Sequence, residues 1–460
     1  LAALPLAVRE LGIVVSGATV SAIPVQIYRS AERYAVEEQL VGVIDRENPG
    51  EIVVGFLRRI TKLEPVMKER VRTPYVDRPE MANYGIILPY TSAIVKPYMT
   101  IKDGEVREIT HVVTPGSRVY VLDASLLGGA FRGSHYIHVG THKHSGWPLP
   151  LDARYITHHI GVFGATGMGK SRLVRVLIDE LTARSCKVVV FDHTGVDYAQ
   201  YYRTVIKSID IRIPPSILAS VLARVAQLHW QTYGEYLEIA AMTHEGKWSR
   251  DGFAAHLKRT MKRLNAREAT AEKAELFIRN FASEQFFEEL NSRVMPPESV
   301  LSIDASPVVI DMSYDTDLSV KQAIVASVIE TAWARVKRER KPASIVFVID
   351  EAQNYAPSEW TISKDAIETT VREGRKWGLS VILASQRIAG DVDPSIRANL
   401  GTVFFSRLTA PADLREISAY MDLAEINEGV LAQLQPREFF VAGLMNPLRK
   451  PVLLRVREVA

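Results

Sequence analysis

Up to about Gly146, apolar residues fall in short runs of strand character: GIVVSGATVSAIPVQIY (12–28), LVGVIDRE (40–47), EIVVGFLRRI (51–60) and RVYVLDASLL (118–127). Asn48-Pro49-Gly50 and Asp103-Gly104 lie between such runs and are turn signals. Many short strands, tight turns and little helix predict a small barrel or sandwich over residues 1–146. The prolines of HSGWPLPLD (144–152) mark a linker. From 147 to 460 the pattern changes to α/β. Unbroken apolar runs (HIGVFGAT, KVVVFD, PVVIDMS, SIVFVIDEA, LSVILASQR, GTVFFSRL) mostly alternate with segments of helical period such as SRLVRVLIDELTAR. Strands apolar on both faces and separated by helices predict a mostly parallel sheet. Between about 214 and 299 the period is helical throughout, which predicts a helical insertion.

Composition adds limits. A chain of 460 residues predicts two or three domains, and 47% hydrophobic with 8% aromatic residues is ordinary for a protein with a large core. A net charge of +3 leaves any nucleic-acid surface to a local patch. The single cysteine, Cys186, excludes a disulfide framework and predicts a reducing, cytoplasmic setting. No apolar run reaches the roughly 20 residues of a membrane span, and neither a signal nor a transit peptide is evident.

Residues Gly164-Ala165-Thr166-Gly167-Met168-Gly169-Lys170-Ser171 match G-x-x-x-x-G-K-[ST], with a strand before and an amphipathic helix after. Such a loop turns backbone N–H groups toward phosphates, while the lysine adds charge at the β/γ-phosphates and the serine hydroxyl can hold Mg²⁺. Arg172 follows on the helix and joins the expected ATP contacts. SIVFVIDEAQNY supplies the second half of a nucleotide site, because an apolar strand ending in Asp350-Glu351 puts two acids at the carboxyl edge of the sheet. Asp350 is expected to hold Mg²⁺ through water, and Glu351 to orient the attacking water. Asp192, which ends VVVFD, reads equally as support for that shell or as a turn cap.

TTVREGRKWGL (369–379) runs from a cationic helix end into the strand ending at Gln386-Arg387. Cations near a helix C-terminus offset its dipole. An arginine reaching a neighbouring subunit's γ-phosphate is worth about 10³–10⁵ in rate where it occurs. Arg372 and Arg375, three apart on one helical face, are candidates for that role, and Arg387 is another; for each alone, solvation or pairing with Glu368 or Glu373 is the simpler reading. Gln386 is placed to sense the γ-phosphate. In HLKRTMKRLNAR, Lys258, Arg259, Lys262 and Arg263 share one side of a helix and could track a DNA backbone. Glu268, Glu272 and Glu275 favour a charge-balanced surface instead.

HHIGVFGATGMGKS, VIDEAQNY, REGRKWGLSVILASQR and the β-rich leader together resemble archaeal HerA of the HerA/FtsK group, over essentially the whole chain. The resemblance implies a RecA-like motor fold, an N-terminal barrel similar to those of rotary ATP synthase subunits, and a homo-hexameric ring around duplex DNA. It further implies ATP and Mg²⁺ as cofactors, and partnership with a NurA-like nuclease and the break-processing machinery in producing 3′ ends for recombination. Lys170 and Ser171 match the family's nucleotide loop, Asp350 and Glu351 its acids, and Gln386 its sensor. Arg375 matches the arginine that reaches a neighbour's ATP, and Arg154 is a further boundary arginine. A secretion-type coupling ATPase, a rotary-type ATPase subunit and a nucleotide-gated scaffold that recruits a nuclease are the competing readings.

Overall fold

The computed structural model describes residues 7–65, 67, 72–73, 76–80, 89–408, 410–420, 422–423 and 426–458. They form two compact units, Leu1–Asp152 with Met421–Leu434 and Glu438–Arg457, and Ala153–Tyr420 with Gln435–Arg437 and Glu458–Ala460.

The first unit is built on a closed antiparallel barrel. Its six strands follow the order Ile23–Ile27, Ala7–Val14, Arg118–Leu122, Gln39–Ile44, Ile52–Leu63 and Tyr90–Lys102, and the last pairs back on the first. The short strand Glu105–Arg107 extends a hairpin beyond the ring. Closure leaves the barrel without open edges. Alternate side chains point inward, so Leu11, Val25, Val41, Val43, Val95 and Val119 fill the centre.

One charged pair is buried on the outer side of the barrel wall, on the face of its strand opposite Leu57. Arg58 Nε and Nη2 donate to Glu38 Oε1 and Oε2 at 2.7 and 2.8 Å. Arg58 Nη2 and Tyr98 Oη also donate to the Pro451 carbonyl at 3.1 and 2.6 Å, which ties the chain's end to the barrel wall. The C-terminal strand Val452–Val456 pairs antiparallel with Glu438–Gly443 and with Gly140–His142 of the same chain.

In the second unit seven strands run parallel, in the order Val205–Lys207, Val308–Asp311, Lys187–Asp192, Ile345–Ile349, Leu379–Ser385, Ile160–Phe163 and Thr402–Phe405. Val188–Phe191, Phe347–Ile349 and Val381–Ala384 are fully buried, as expected of strands covered on both faces. Each such large apolar side chain contributes about 1.5–3 kcal/mol. Six helices from Pro215 to Ser302 form the insertion.

The order of the sheet sets the site. The phosphate-loop strand Ile160–Phe163 and the Asp-Glu strand Ile345–Ile349 are not neighbours; Leu379–Ser385 lies between them and pairs with both. Ile349 is level with Leu383, and Phe163 with Ser385. Gly164, Asp350 and Gln386 thus leave the same carboxyl edge on three adjacent strands.

Candidate active site

The phosphate loop closes over its own lysine. Gly167 and Gly169 have φ of 82° and 91°, left-handed values that favour glycine, and the helix Lys170–Thr182 starts directly after them. Lys170 Nζ donates to the Gly164 carbonyl at 2.8 Å. Ala165 N donates to Arg407 O, and Arg437 N to Met168 O, each at 2.8 Å, so residues far along the chain brace both sides of the loop. Burial lowers the Lys170 pKa, against the opposing pull of Glu351, Asp350, Asp197 and Asp391. Met168 is buried, and Arg172 forms an ion pair with Glu458 at 3.4 Å.

The acids are assembled by one turn and one loop. Asp350 ends its strand buried, and Glu351 adopts φ 49°, ψ 51°, left-handed for a residue with a Cβ, at a cost of about 1–3 kcal/mol. The turn Ala352–Asn354 follows at once. Asp192 is fully buried; its Oδ1 accepts from Gly195 N at 3.0 Å, and its Oδ2 from Tyr198 N and Ala199 N at 2.9 Å each. Those bonds close the loop after its strand and bring Asp197 round toward Asp350. Among the described residues, Asp192, Asp197 and Asp350 form a group able to hold a metal ion, with one carboxylate oxygen from each lying within 4.8 Å of the others. Burial, then the nearby Glu351, Asp197 and Asp192, push the Asp350 pKa up to about 8. The Tyr198 hydroxyl is fully buried within the electrostatic reach of Asp350, Asp197 and Asp192, and Ser171 is the side chain placed to hydrogen-bond it. An all-oxygen set of crowded carboxylates fits a hard divalent cation such as Mg²⁺.

Several of these groups were invisible in the sequence. Asp197 lies in a loop with no motif of its own. Gln353 Nε2 donates to Glu351 Oε2, and Ser385 Oγ lies 2.9 Å from Gln353 Oε1 and 2.6 Å from Asp391 Oδ2. Gln353 falls inside the quoted VIDEAQNY, yet nothing in the string links it to a serine on another strand. Gln386 is half-buried directly beyond Ser385, and Arg387 is exposed.

The arginines expected to act between subunits lie elsewhere. The helix Lys364–Glu373 stops before Arg375, which sits in a 3-10 turn, Gly374–Trp377. Arg372 and Arg375 therefore do not share one continuous α-helical face as expected. Gly378 forces the break: its φ is 67°, and a Cβ there would lie 1.6 Å from the Ala343 carbonyl oxygen. Arg375 is exposed, and Arg372 pairs with Glu368 at 3.4 Å. Arg154 is exposed in the turn Ala153–His158, which packs beside the Arg375 turn. Both turns precede their strands, at the amino edge of the sheet. A strand of seven residues, Leu379–Ser385, separates Arg375 from the edge that carries the phosphate loop, roughly 20 Å away.

On the insertion helix Arg250–Arg263, Lys258 pairs with Glu275 at 2.8 Å and Glu272 at 3.7 Å, and Lys262 pairs with Glu268. Arg259 and Arg263 are exposed. Half of the expected basic stripe is thus balanced locally, because the next helix, Glu268–Phe281, packs against this one.

Residues 137–332 match the family model described as the central domain of the helicase HerA. A DNA double-strand break repair helicase HerA of Sulfurisphaera tokodaii is 25% identical over 337 residues, 65% of this chain and 65% of that relative. The chain is HerA-like. A second relative of the same name, from Sulfolobus acidocaldarius, is 21% identical over 89% of this chain and 87% of its own length. The HerA-like chain thus spans just under two thirds of the first relative and most of the second. Among solved structures, VirB4 of Thermoanaerobacter pseudethanolicus superposes with a TM-score of 0.52 at 15% identity, covering 72% of this chain and 98% of that one. The plasmid coupling protein TrwB in complex with ADP and Mg²⁺ gives 0.51 at 16% identity, covering 72% and 91%. These likenesses establish the P-loop ATPase fold. Among the described residues no helix is long and apolar enough to cross a membrane.

Proposed function

We propose that this HerA-like chain is an ATP hydrolase that assembles as a ring and moves duplex DNA, working with a NurA-like nuclease on broken DNA ends. The observation that carries the reading is the convergence of Lys170, Asp350 and Glu351 on one sheet edge, with the Gln386 strand between the two motif strands. The loop N–H groups and Lys170 bind the β/γ-phosphates of ATP, and the start of the helix at Lys170 adds its positive end. Ser171 and Asp350, with Asp192 and Asp197 beside them, would hold Mg²⁺, which when bound offsets phosphate charge. Glu351 orients and polarises the attacking water, and Gln386 contacts the γ-phosphate. Arg375 serves a neighbouring subunit's nucleotide, for which its position about a strand's length from its own phosphate loop is the support. Arg154, in the adjacent turn, is the second such candidate. Arg259 and Arg263 are the candidate DNA contacts on the insertion, ahead of Lys258 and Lys262, which carry acidic partners.

Glu351→Gln tests the chemistry. The variant is expected to bind ATP as the parent does and to lose hydrolysis by about 100-fold or more, as loss of a group aimed at the transition state does. Hydrolysis within a few-fold of the parent would refute the assignment. Duplex DNA added at low salt is expected to raise the parent's rate. Absence of DNA binding under those conditions would refute the translocase reading while leaving the hydrolase reading intact.

A further inference from the structure

Beyond the last paired residues of their strands, Glu351 and Asp391 are joined by side chains that span two neighbouring strands. Gln353 Nε2 donates to Glu351 Oε2, Gln353 Oε1 lies 2.9 Å from Ser385 Oγ, and that hydroxyl lies 2.6 Å from Asp391 Oδ2. Arg387 N donates to the same Asp391 oxygen at 2.9 Å. Ser385 is fully buried. A serine hydroxyl has one proton to donate, and here two oxygens stand ready to accept it.

The ionised acceptor is the stronger one. With the proton on the Asp391 side, Gln353 Oε1 faces only the lone pairs of Ser385. Turning the amide over repairs that contact, because Nε2 then donates to Ser385 Oγ. The same turn sets Oε1 against the Glu351 carboxylate. The amide can satisfy one end of the chain or the other, not both.

We propose that Gln353 is a positioning residue for Glu351, and that Ser385 with Asp391 determines which end of its amide Glu351 meets. With Nε2 toward it, the carboxylate is held in its hydrogen-bonded position; with Oε1 toward it, the carboxylate is driven off that position. This rests on Glu351 being the group that orients water. The loop carrying Asp391 begins at Gln386 and Arg387, so contact made there reaches Glu351 through Asp391, Ser385 and Gln353. That loop is otherwise well anchored. Ile388 N and Ala389 N donate to Asp413 Oδ1 at 3.0 and 2.8 Å, and Arg397 Nη1 donates to the Ile388 carbonyl at 2.6 Å.

The test is steady-state ATP hydrolysis by the whole chain carrying Gln353→Met, which keeps the length and the apolar stem but has no amide. The expected result is a kcat lower by about 10- to 100-fold, the scale of a misplaced catalytic group, with KM for ATP and Tm unchanged. Ser385→Ala is expected to slow turnover less. Adding it to Gln353→Met should slow turnover no further, because the serine acts only through the amide. A parental kcat in Gln353→Met overturns the proposal, as does a double variant slowed by the product of the two single effects. Glu351→Gln measured alongside separates the readings. If it is inactive while Gln353→Met is fully active, only the positioning role fails; if it hydrolyses ATP at the parental rate, the role assigned to Glu351 fails too.

Discussion

Arg58 and Glu38 show how a single side chain can hold a unit together without serving its chemistry. Both are almost completely buried, and the bidentate pair satisfies charges that would otherwise be stranded between the barrel wall and the Pro451 segment. Glu38→Gln leaves the guanidinium buried and uncompensated, and is expected to cost about 3–5 kcal/mol of stability. Replacing both partners, Arg58→Met with Glu38→Leu, is expected to cost much less, because no charge is then buried. Thermal and denaturant unfolding of the three chains checks this; equal losses would show that packing rather than charge is what the pair provides. The same contrast separates the candidate site residues that could be named in advance from those that could not. Lys170, Asp350 and Glu351 belong to local strings whose backbone context is written beside them. Asp197, Gln353, Ser385 and Asp391 acquire meaning only from neighbours on other strands and loops. A lone Ser or Gln in a sequence carries no sign of what will face it.

Strands and helices were the most legible level. Long apolar runs became buried parallel strands because a strand covered on both faces has no polar side to display. The cationic stretch before Leu379 is not one helix, since the chain changes from α-helix to a 3-10 turn where Gly374 and Gly378 meet other backbone. A Cβ at Gly374 would lie 2.5 Å from the Leu379 carbonyl oxygen. His159, which leads into the phosphate-loop strand, has φ 65° and is buried, its Nδ1 accepting from Val381 N at 3.3 Å. Burial, then the adjacent His158, depress its pKa from 6.5 to about 4. The unfolded chain therefore takes up a proton at this position below about 6.5 while the folded chain does so only near 4, and stability falls as pH drops across that window. His159→Asn removes the titration and retains a residue that tolerates left-handed backbone. Its unfolding free energy is expected to decline less steeply over this range, by up to roughly 1.4 kcal/mol per pH unit. Parallel pH profiles for parent and variant would exclude His159 as the linked group.

Across the second unit, the two edges of the parallel sheet do different work. The carboxyl edge gathers phosphate loop, acids and Gln386; the amino edge presents Arg154 and Arg375. If Arg375 completes a neighbour's site, chains of Arg375→Ala and chains of Lys170→Ala, each inactive alone, should recover part of the parental hydrolysis when mixed. A mixed assembly can then pair an intact phosphate loop with an intact arginine from the next subunit. Mixtures that stay as inactive as either variant, with co-assembly verified by native mass, would show that Arg375 does not act between subunits.

Strand character, the α/β pattern, the helical insertion and the two nucleotide strings follow from local order along the chain. They depend on side-chain period, glycine content and turn chemistry, which a sequence displays directly. The order of the strands does not, because it is set by which buried faces pack together across hundreds of residues. That order put Leu379–Ser385 between the two motif strands, and with it Ser385 within reach of both Gln353 and Asp391. It also set Arg375 at the edge away from its own phosphate loop. Non-local pairing supplied those relations because hydrogen bonds and ion pairs depend on distance in space, which the linear spacing of residues does not encode.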